Sequence, residues 1–221
     1  MAHRTASSRT ASRPAPSCAQ SQRPAVTWCL VNRKPVRLIV LKPRQKGLST
    51  ISTWILYWVM CVFGCEGVLI GGQSAEVKLL WKYFLNYVRA ERFPWGFARE
   101  AGAREAKFGN GATCIQETAR DEDAGRGGMF TALLCTEAAR WKQVKGGVTD
   151  ADAVLSGILS CVPPLPETFV IMESTAKGPT GFFYEYYQQA VTLEEAKAGK
   201  WAPNSFIKIF SPWYDHDDSR T

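Results

Sequence analysis

The chain has 221 residues, 46% apolar and 12% aromatic, which suits one globular domain of ordinary size with a tail. Its net charge of +7 comes from the front: residues 1–50 hold ten Lys or Arg and no Asp or Glu, against seventeen basic and twenty acidic side chains in residues 51–221. Seven cysteines include one close pair, Cys61 and Cys65, and no neighbouring histidine. They read as buried thiols in a reducing compartment, which excludes a disulfide scaffold or a zinc cluster.

Residues 1–26 are rich in Ser, Ala, Arg and Pro and poor in large apolar side chains, so they are expected to be disordered. The first thirty residues are taken as a basic tail or a non-native start. A solvated tail, an arm that contacts DNA phosphates and a transit peptide all fit this composition. Val36–Leu41 (VRLIVL) predicts a strand and residues 49–61 a helix. The apolar run 51–65 (ISTWILYWVMCVFGC) is shorter than the twenty or so residues a membrane span needs, and it is read as a buried core helix. Residues 67–71 predict a second strand. Residues 74–90 place Val77, Leu80, Trp81, Phe84, Leu85 and Val88 at helical spacing, the pattern of an amphipathic helix.

Further strands are expected at 113–117, 130–135, 169–172 and 206–210, and helices at 151–159 and 180–198. Glycine-rich breaks at 109–111 and 125–128 mark loops. Apolar strands alternating with helices predict an α/β domain, a mainly parallel sheet with helices on both faces.

In residues 38–52 (LIVLKPRQKGLSTIS) a buried strand runs into a basic loop with one glycine, then into a helix opened by Ser and Thr. A phosphate-binding loop needs this layout. Backbone N–H groups and a helix N-terminus face the anion, an ammonium reaches the terminal phosphates, and a hydroxyl serves Mg²⁺. Lys42, Arg44 and Lys46 supply charge, Gly47 allows close backbone approach, and Ser49 or Thr50 supplies the hydroxyl. The common GxxxxGK[ST] pattern is not met, since Leu48 stands where its lysine falls; by itself the loop also fits an ordinary basic turn.

KPRQKGLST resembles the deviant Walker A motif of terminase large subunits, the ATPases that package phage DNA. The resemblance implies a P-loop NTPase of the additional-strand catalytic-glutamate, RecA-like type, with ATP and Mg²⁺ as cofactors. It casts Lys42 as the displaced phosphate lysine and Arg44 as an arginine acting on the γ-phosphate within the same chain. Gln45, Lys46, Gly47, Leu48, Ser49 and Thr50 would wrap the phosphates, with Ser49 as the Mg²⁺ hydroxyl.

In residues 125–141 (GRGGMFTALLCTEAARW) an apolar strand ends in an acid. This resembles the Walker B region of a terminase subgroup, which implies Glu137 as the base that polarises water and places Thr136 at the metal position, where an aspartate is usual. A core strand ending in a solvated glutamate has the same pattern. Residues 169–187 (FVIMESTAKGPTGFFYEYY) resemble the coupling motif, with Ser174 and Thr175 sensing the γ-phosphate and Glu173 their neighbour; an N-cap for the next helix fits equally. FIKIFSPWYDHDD resembles the strand that follows in the family, and His216 in it is read as a surface residue.

The resemblance spans residues 31–217. It implies double-stranded DNA, a portal protein, a small terminase subunit and a homo-oligomeric ring as partners, in the cytoplasm of a bacterial host cell and away from membranes. The family's nuclease domain is expected to be absent from this chain, and of the adenine-binding segment only Gln20 or Gln22 could be a relic. Two other readings stand beside this one: a truncated, catalytically inactive prophage remnant, and a basic DNA-binding protein without ATPase activity.

Overall fold

The computed structural model describes residues 19–44, 47–90, 98–119, 128–141 and 151–212. In chain order the elements are α1 (Ala19–Val31), β1 (Val36–Leu41), α2 (Leu48–Phe63), β2 (Glu66–Gly71), α3 (Ser74–Arg89), β3 (Ala98–Ala101), β4 (Glu105–Phe108) and β5 (Thr113–Thr118). After these come β6 (Ala132–Thr136), a 3-10 turn (Ala138–Arg140), α4 (Ala151–Ser160), β7 (Phe169–Ser174), α5 (Phe182–Gln189), α6 (Leu193–Lys197) and β8 (Ile207–Phe210). The strands form one sheet in the order β3-β4-β5-β2-β6-β7-β1-β8. From β5 to β8 all neighbours run parallel, while β3 and β4 add an antiparallel edge.

The central strands are mostly apolar because both faces are covered, with Arg37 in β1 and Glu173 and Ser174 in β7 as buried polar exceptions. Leu38 and Val40 of β1 join a core with Cys29 of α1, Met60 of α2 and Phe84 of α3. Ile39, between them, points to the opposite core with Leu155 of α4 and Phe183 of α5. Side chains alternate across a strand, so the apolar residues of β1 feed two cores at once. The apolar helix α2 is capped by Gly64 at φ 61°, whose N–H returns to the Met60 carbonyl. Among the described residues no helix is long and apolar enough to cross a membrane.

Three expectations change. Residues 19–31, expected within the disordered front, form α1, with Ala25 and Cys29 buried and Trp28 edge-on to Trp201. The faces that pack are small, so composition alone does not reveal them, and the helix is stabilised by β1 and β8 beneath it rather than by its own propensity. The single helix expected over 180–198 is broken, because Val191 bridges Ile207 at the sheet and Thr192 then starts α6 with a capping box to Glu195. The β3–β4 hairpin was not expected: its strands are four residues each and too short for a clear alternating pattern. The glycine-rich break at 109–111 is the β4–β5 turn, where Asn110 donates to the Met60 and Cys61 carbonyls; the break at 125–128 lies outside the described residues except for Gly128.

The packing of α1 can be tested within one helix. Cys29 has no exposure and Val31 is 75% exposed. Cys29→Asp buries an unpaired charge and should cost about 3 kcal/mol or more in urea denaturation, whereas Val31→Asp should stay within about 0.5 kcal/mol. Equal effects would mean that α1 does not pack on the sheet.

Candidate functional site

Parallel register brings the C-terminal ends of four strands to one edge. Leu41 pairs with Ser174 across β1 and β7, Cys135 with Met172 across β6 and β7, and Gly71 with Thr136 across β2 and β6. The residues that follow these ends therefore meet, although they lie up to 133 positions apart between Lys42 and Thr175. Their cleft, of about 380 Å³, is lined by Lys42, Arg44, Ser49, Glu76, Glu137, Arg140 and Thr175.

The loop from β1 enters α2 through Gly47, which sits in the left-handed region at φ 72° and accepts the first helical hydrogen bond from Ile51. Leu48 is 2% exposed, so its side chain anchors the helix in the core instead of facing the cleft. Ser49 lines the cleft. The Thr50 carbonyl accepts from the Tyr87 hydroxyl, which ties α2 to α3. Arg44 stands exposed at the rim. Gln45 and Lys46 lie outside the described residues.

The Lys42 side chain is 6% exposed and its ammonium bonds the Ser49 hydroxyl, faces Glu137 Oε1 at 3.0 Å and Glu173 Oε1 at 3.4 Å. An ammonium has three N–H donors, and three partners surround this one. Burial disfavours the charge of Lys42, but Glu173 and Glu137 outweigh it and hold its pKa above the usual 10.5.

Glu137 follows β6 in a left-handed conformation, φ 47° and ψ 39°, which costs a non-glycine residue about 1–2 kcal/mol. Neighbours hold it there. Thr175 donates from its hydroxyl at 3.0 Å and its backbone N–H at 3.4 Å to Glu137 Oε2, and Arg140 lies 3.4 Å from the same oxygen. Arg140 also donates to the Thr175 hydroxyl at 3.0 Å. Trp141, 1% exposed, closes the turn by donating to the Thr136 carbonyl. Burial pushes the Glu137 carboxyl up, yet Lys42 and the Thr175 hydrogen bonds outweigh burial and keep it below the usual 4.5.

Beneath the cleft floor lie Thr136, 1% exposed, and Glu173, 0% exposed. Thr136 donates to Glu173 Oε1 at 3.2 Å, so β6 carries a hydroxyl where an acid is usual and β7, one strand over, brings a carboxylate to it. The two candidate coupling residues separate. Thr175 reaches the cleft, while Ser174 is buried and accepts from the Ala139 N–H at 3.2 Å, linking β7 to the turn after β6. Neither caps the next helix, since α5 starts at Phe182 behind Gly181. Gln22 is fully buried and donates to Ser52, so it does not face a ligand as a relic of an adenine site would. His216 lies outside the described residues.

Sequence reasoning passed over Glu76, Arg140 and the contacts of Glu173. Glu76, in the first turn of α3, reads as a favourable helix-dipole charge. In the fold it lines the cleft with one carboxylate oxygen buried and unpartnered, and burial followed by nearby Glu137 raises its pKa above 4.5. Glu173 did carry a signal, as the acid within an otherwise apolar buried strand.

The arrangement can hold a polyphosphate: a helix N-terminus, a buried ammonium and two arginines surround an open cleft. At the cleft the Ser49 hydroxyl and the Glu137 carboxylate are hard oxygen donors of the kind that suits Mg²⁺ and its waters, with the Thr136 hydroxyl beneath them, so the chemistry of the donor set fits that ion.

A phosphate-loop layout after β1, β1 flanked by β7 and β8, and an acid at the end of β6 define an α/β P-loop NTPase fold. It is the fold of phage DNA-packaging ATPase domains. The large-terminase ATPase domain of Thermus phage P74-26 is 20% identical with a TM-score of 0.57, covering 81% of this chain and 76% of that one. A large terminase from a thermophilic bacteriophage, solved in complex with ADP, is 13% identical with a TM-score of 0.62, covering 89% and 46%. The N-terminal domain of the DNA packaging ATPase from bacteriophage phi29 is 11% identical with a TM-score of 0.57, covering 86% and 96%. No protein-family model and no curated protein matches the sequence.

The Lys42–Glu137 pair predicts how stability depends on pH. The depressed Glu137 carboxyl contributes stability that is complete above about pH 4.5 and is lost as pH falls through its lower folded value. The raised Lys42 ammonium contributes below about pH 10.5 and is lost as pH rises through its higher folded value. Urea denaturation at stepped pH should show both limbs, and Glu137→Gln should flatten the acid one; an unchanged acid limb would mean that Glu137 is not held by charge.

Proposed function

We propose that this chain is the ATPase domain of a viral or prophage DNA-packaging motor, binding Mg²⁺-ATP in the cleft at the C-terminal edge of the sheet. The observation that carries the reading is the meeting of Lys42, Ser49, Glu137 and Thr175 at one cleft, from three segments far apart in sequence. The fold shared with the packaging ATPases supports it.

In this reading the γ-phosphate displaces one of the three partners of Lys42, and Glu137 is the carboxylate among them that lines the cleft. The same event that binds nucleotide therefore frees the base. Glu137 then accepts a hydrogen bond from the attacking water and takes its proton as the water oxygen bonds to the γ-phosphorus and the bond to the bridging oxygen breaks, leaving ADP and phosphate. Lys42 and Arg44 balance charge on the phosphate oxygens, with the backbone of residues 45–48 and Thr50 around them. Bound Mg²⁺ would neutralise phosphate charge, held near Ser49 and Thr136. Thr175 contacts Glu137 directly, so it can report loss of the γ-phosphate, and Ser174 passes the change to the turn after β6. The working unit would be a homo-oligomeric ring around double-stranded DNA, docked on a portal and supplied by a small terminase subunit, in the host cytoplasm.

Thermal unfolding of the full chain tests the reading. Mg²⁺-ATP at a hundred times its Kd should add about 2.7 kcal/mol of stability, a rise of roughly 5–10 °C for a chain of this size. Lys42→Ala should abolish the rise. Glu137→Gln should keep it while lowering turnover by about 10²–10⁴-fold. No shift in the cooperatively folded protein would favour the inactive remnant.

A further inference from the structure

Among the described residues Glu173 is the one acidic side chain in the fully buried set, and the cleft chemistry above does not use it. Its two oxygens have different tasks. Oε1 faces Lys42 and Thr136. Oε2 accepts from the Ser52 hydroxyl at 2.7 Å, and Ser52 Oγ in turn accepts from Gln22 Nε2 at 3.3 Å. Gln22 belongs to α1 and Ser52 to α2, so a buried polar chain runs from the N-terminal helix to the phosphate lysine. Each step is a directional hydrogen bond inside the core, where such bonds are strong and unpaired groups are costly.

We propose that Gln22, Ser52 and Glu173 form a positioning relay that aims Lys42 at the nucleotide, with Glu173 as its charged end. This rests on the ATPase reading. The physical need for a second carboxylate follows from the ion pair at the surface. Were Glu137 the sole anion beside Lys42, the ammonium would settle on it, and nucleotide would have to break the whole pair before the base was free. Glu173 pulls from the opposite side, so the ammonium stays between the two and can leave Glu137 without losing all compensation. Oε1 can do this because Ser52 pins the other oxygen, and Ser52 is oriented by an amide on a different helix. Gln22 Oε1 is buried with no protein partner among the described residues.

The test separates positioning from structure. Gln22→Leu keeps the shape, removes the hydrogen bond and also removes the unpartnered oxygen, so the thermal midpoint should hold or rise. Loss of one neutral hydrogen bond from the relay should nevertheless weaken binding of a non-hydrolysable Mg²⁺-ATP analogue by about 3- to 10-fold. Glu173→Gln removes the charged end and should weaken it on the order of 10- to 100-fold. Affinity for the analogue is measured by calorimetry on the full chain. Analogue binding by the unaltered chain, with Gln22→Leu binding as tightly as it does, would overturn the relay and leave the ATPase reading intact. No analogue binding by the unaltered chain would remove both. Should Glu173→Gln fail to fold, Gln22→Leu decides by the same criterion.

Discussion

Lys42 brings a full positive charge to a place that water barely reaches, and it stays charged there because two carboxylates face it from β6 and β7. Burying charges is expensive, and mutual attraction offsets the cost only where geometry and hydrogen bonds are good. The surroundings of this ammonium show how that is met. Ser49 takes one donor, Thr136 and Ser52 share the Glu173 oxygens, and Thr175 and Arg140 hold Glu137. Small hydroxyl residues dominate the list because they supply hydrogen bonds in little space. The left-handed backbone at Glu137 fits the same pattern: a strained conformation persists where neighbours over-determine it, which is common at functional sites.

The parallel sheet makes this cluster possible. In such a sheet all strands point their C-terminal ends to one edge, so the residues that follow β1, β6 and β7 share a small volume. Neighbouring strand ends are also partly interchangeable. The Thr136 hydroxyl meets the Glu173 carboxylate because adjacent strands lie under 5 Å apart and side chains from both reach the same floor. Gly71, at the end of β2, keeps that floor closed, since a Cβ there would meet Val77 at 2.7 Å and Thr136 at 2.9 Å.

Helix α1 joins this system from outside the sheet. It packs on β1 and β8 through small residues and places Gln22 over Ser52. Lys34, just past its end, lies 4.1 Å from the Trp201 ring and 5.5 Å from the Trp28 ring, a cation–π contact that pins the exit of the helix against the segment before β8. The helix is thus fastened at its end and at its core face, and the polar chain to Glu173 runs between.

The amino-acid sequence by itself determined the elements whose pattern is strong and local. The β-branched runs of β1, β2 and β7, the apolar spacing of α2 and α3, and the order strand, basic loop, glycine and hydroxyl-rich helix were all legible, and with them the α/β class and the candidates Lys42, Ser49, Glu137 and Thr175. Periodicity and turn chemistry act over a few residues, so they can be read one segment at a time. What only the tertiary structure decided depends on distance through space. Helix α1 exists because it packs on β1 and β8, Thr136 is sunk because the next strand brings a carboxylate over it, and Gln22 reaches Ser52 because α1 comes beside α2 at that point. Glu76 and Arg140 join the cleft for the same reason. Burial and pairing of charge are properties of what surrounds a residue, and for these side chains the surroundings come from segments that parallel register and helix packing bring together, which no local pattern records.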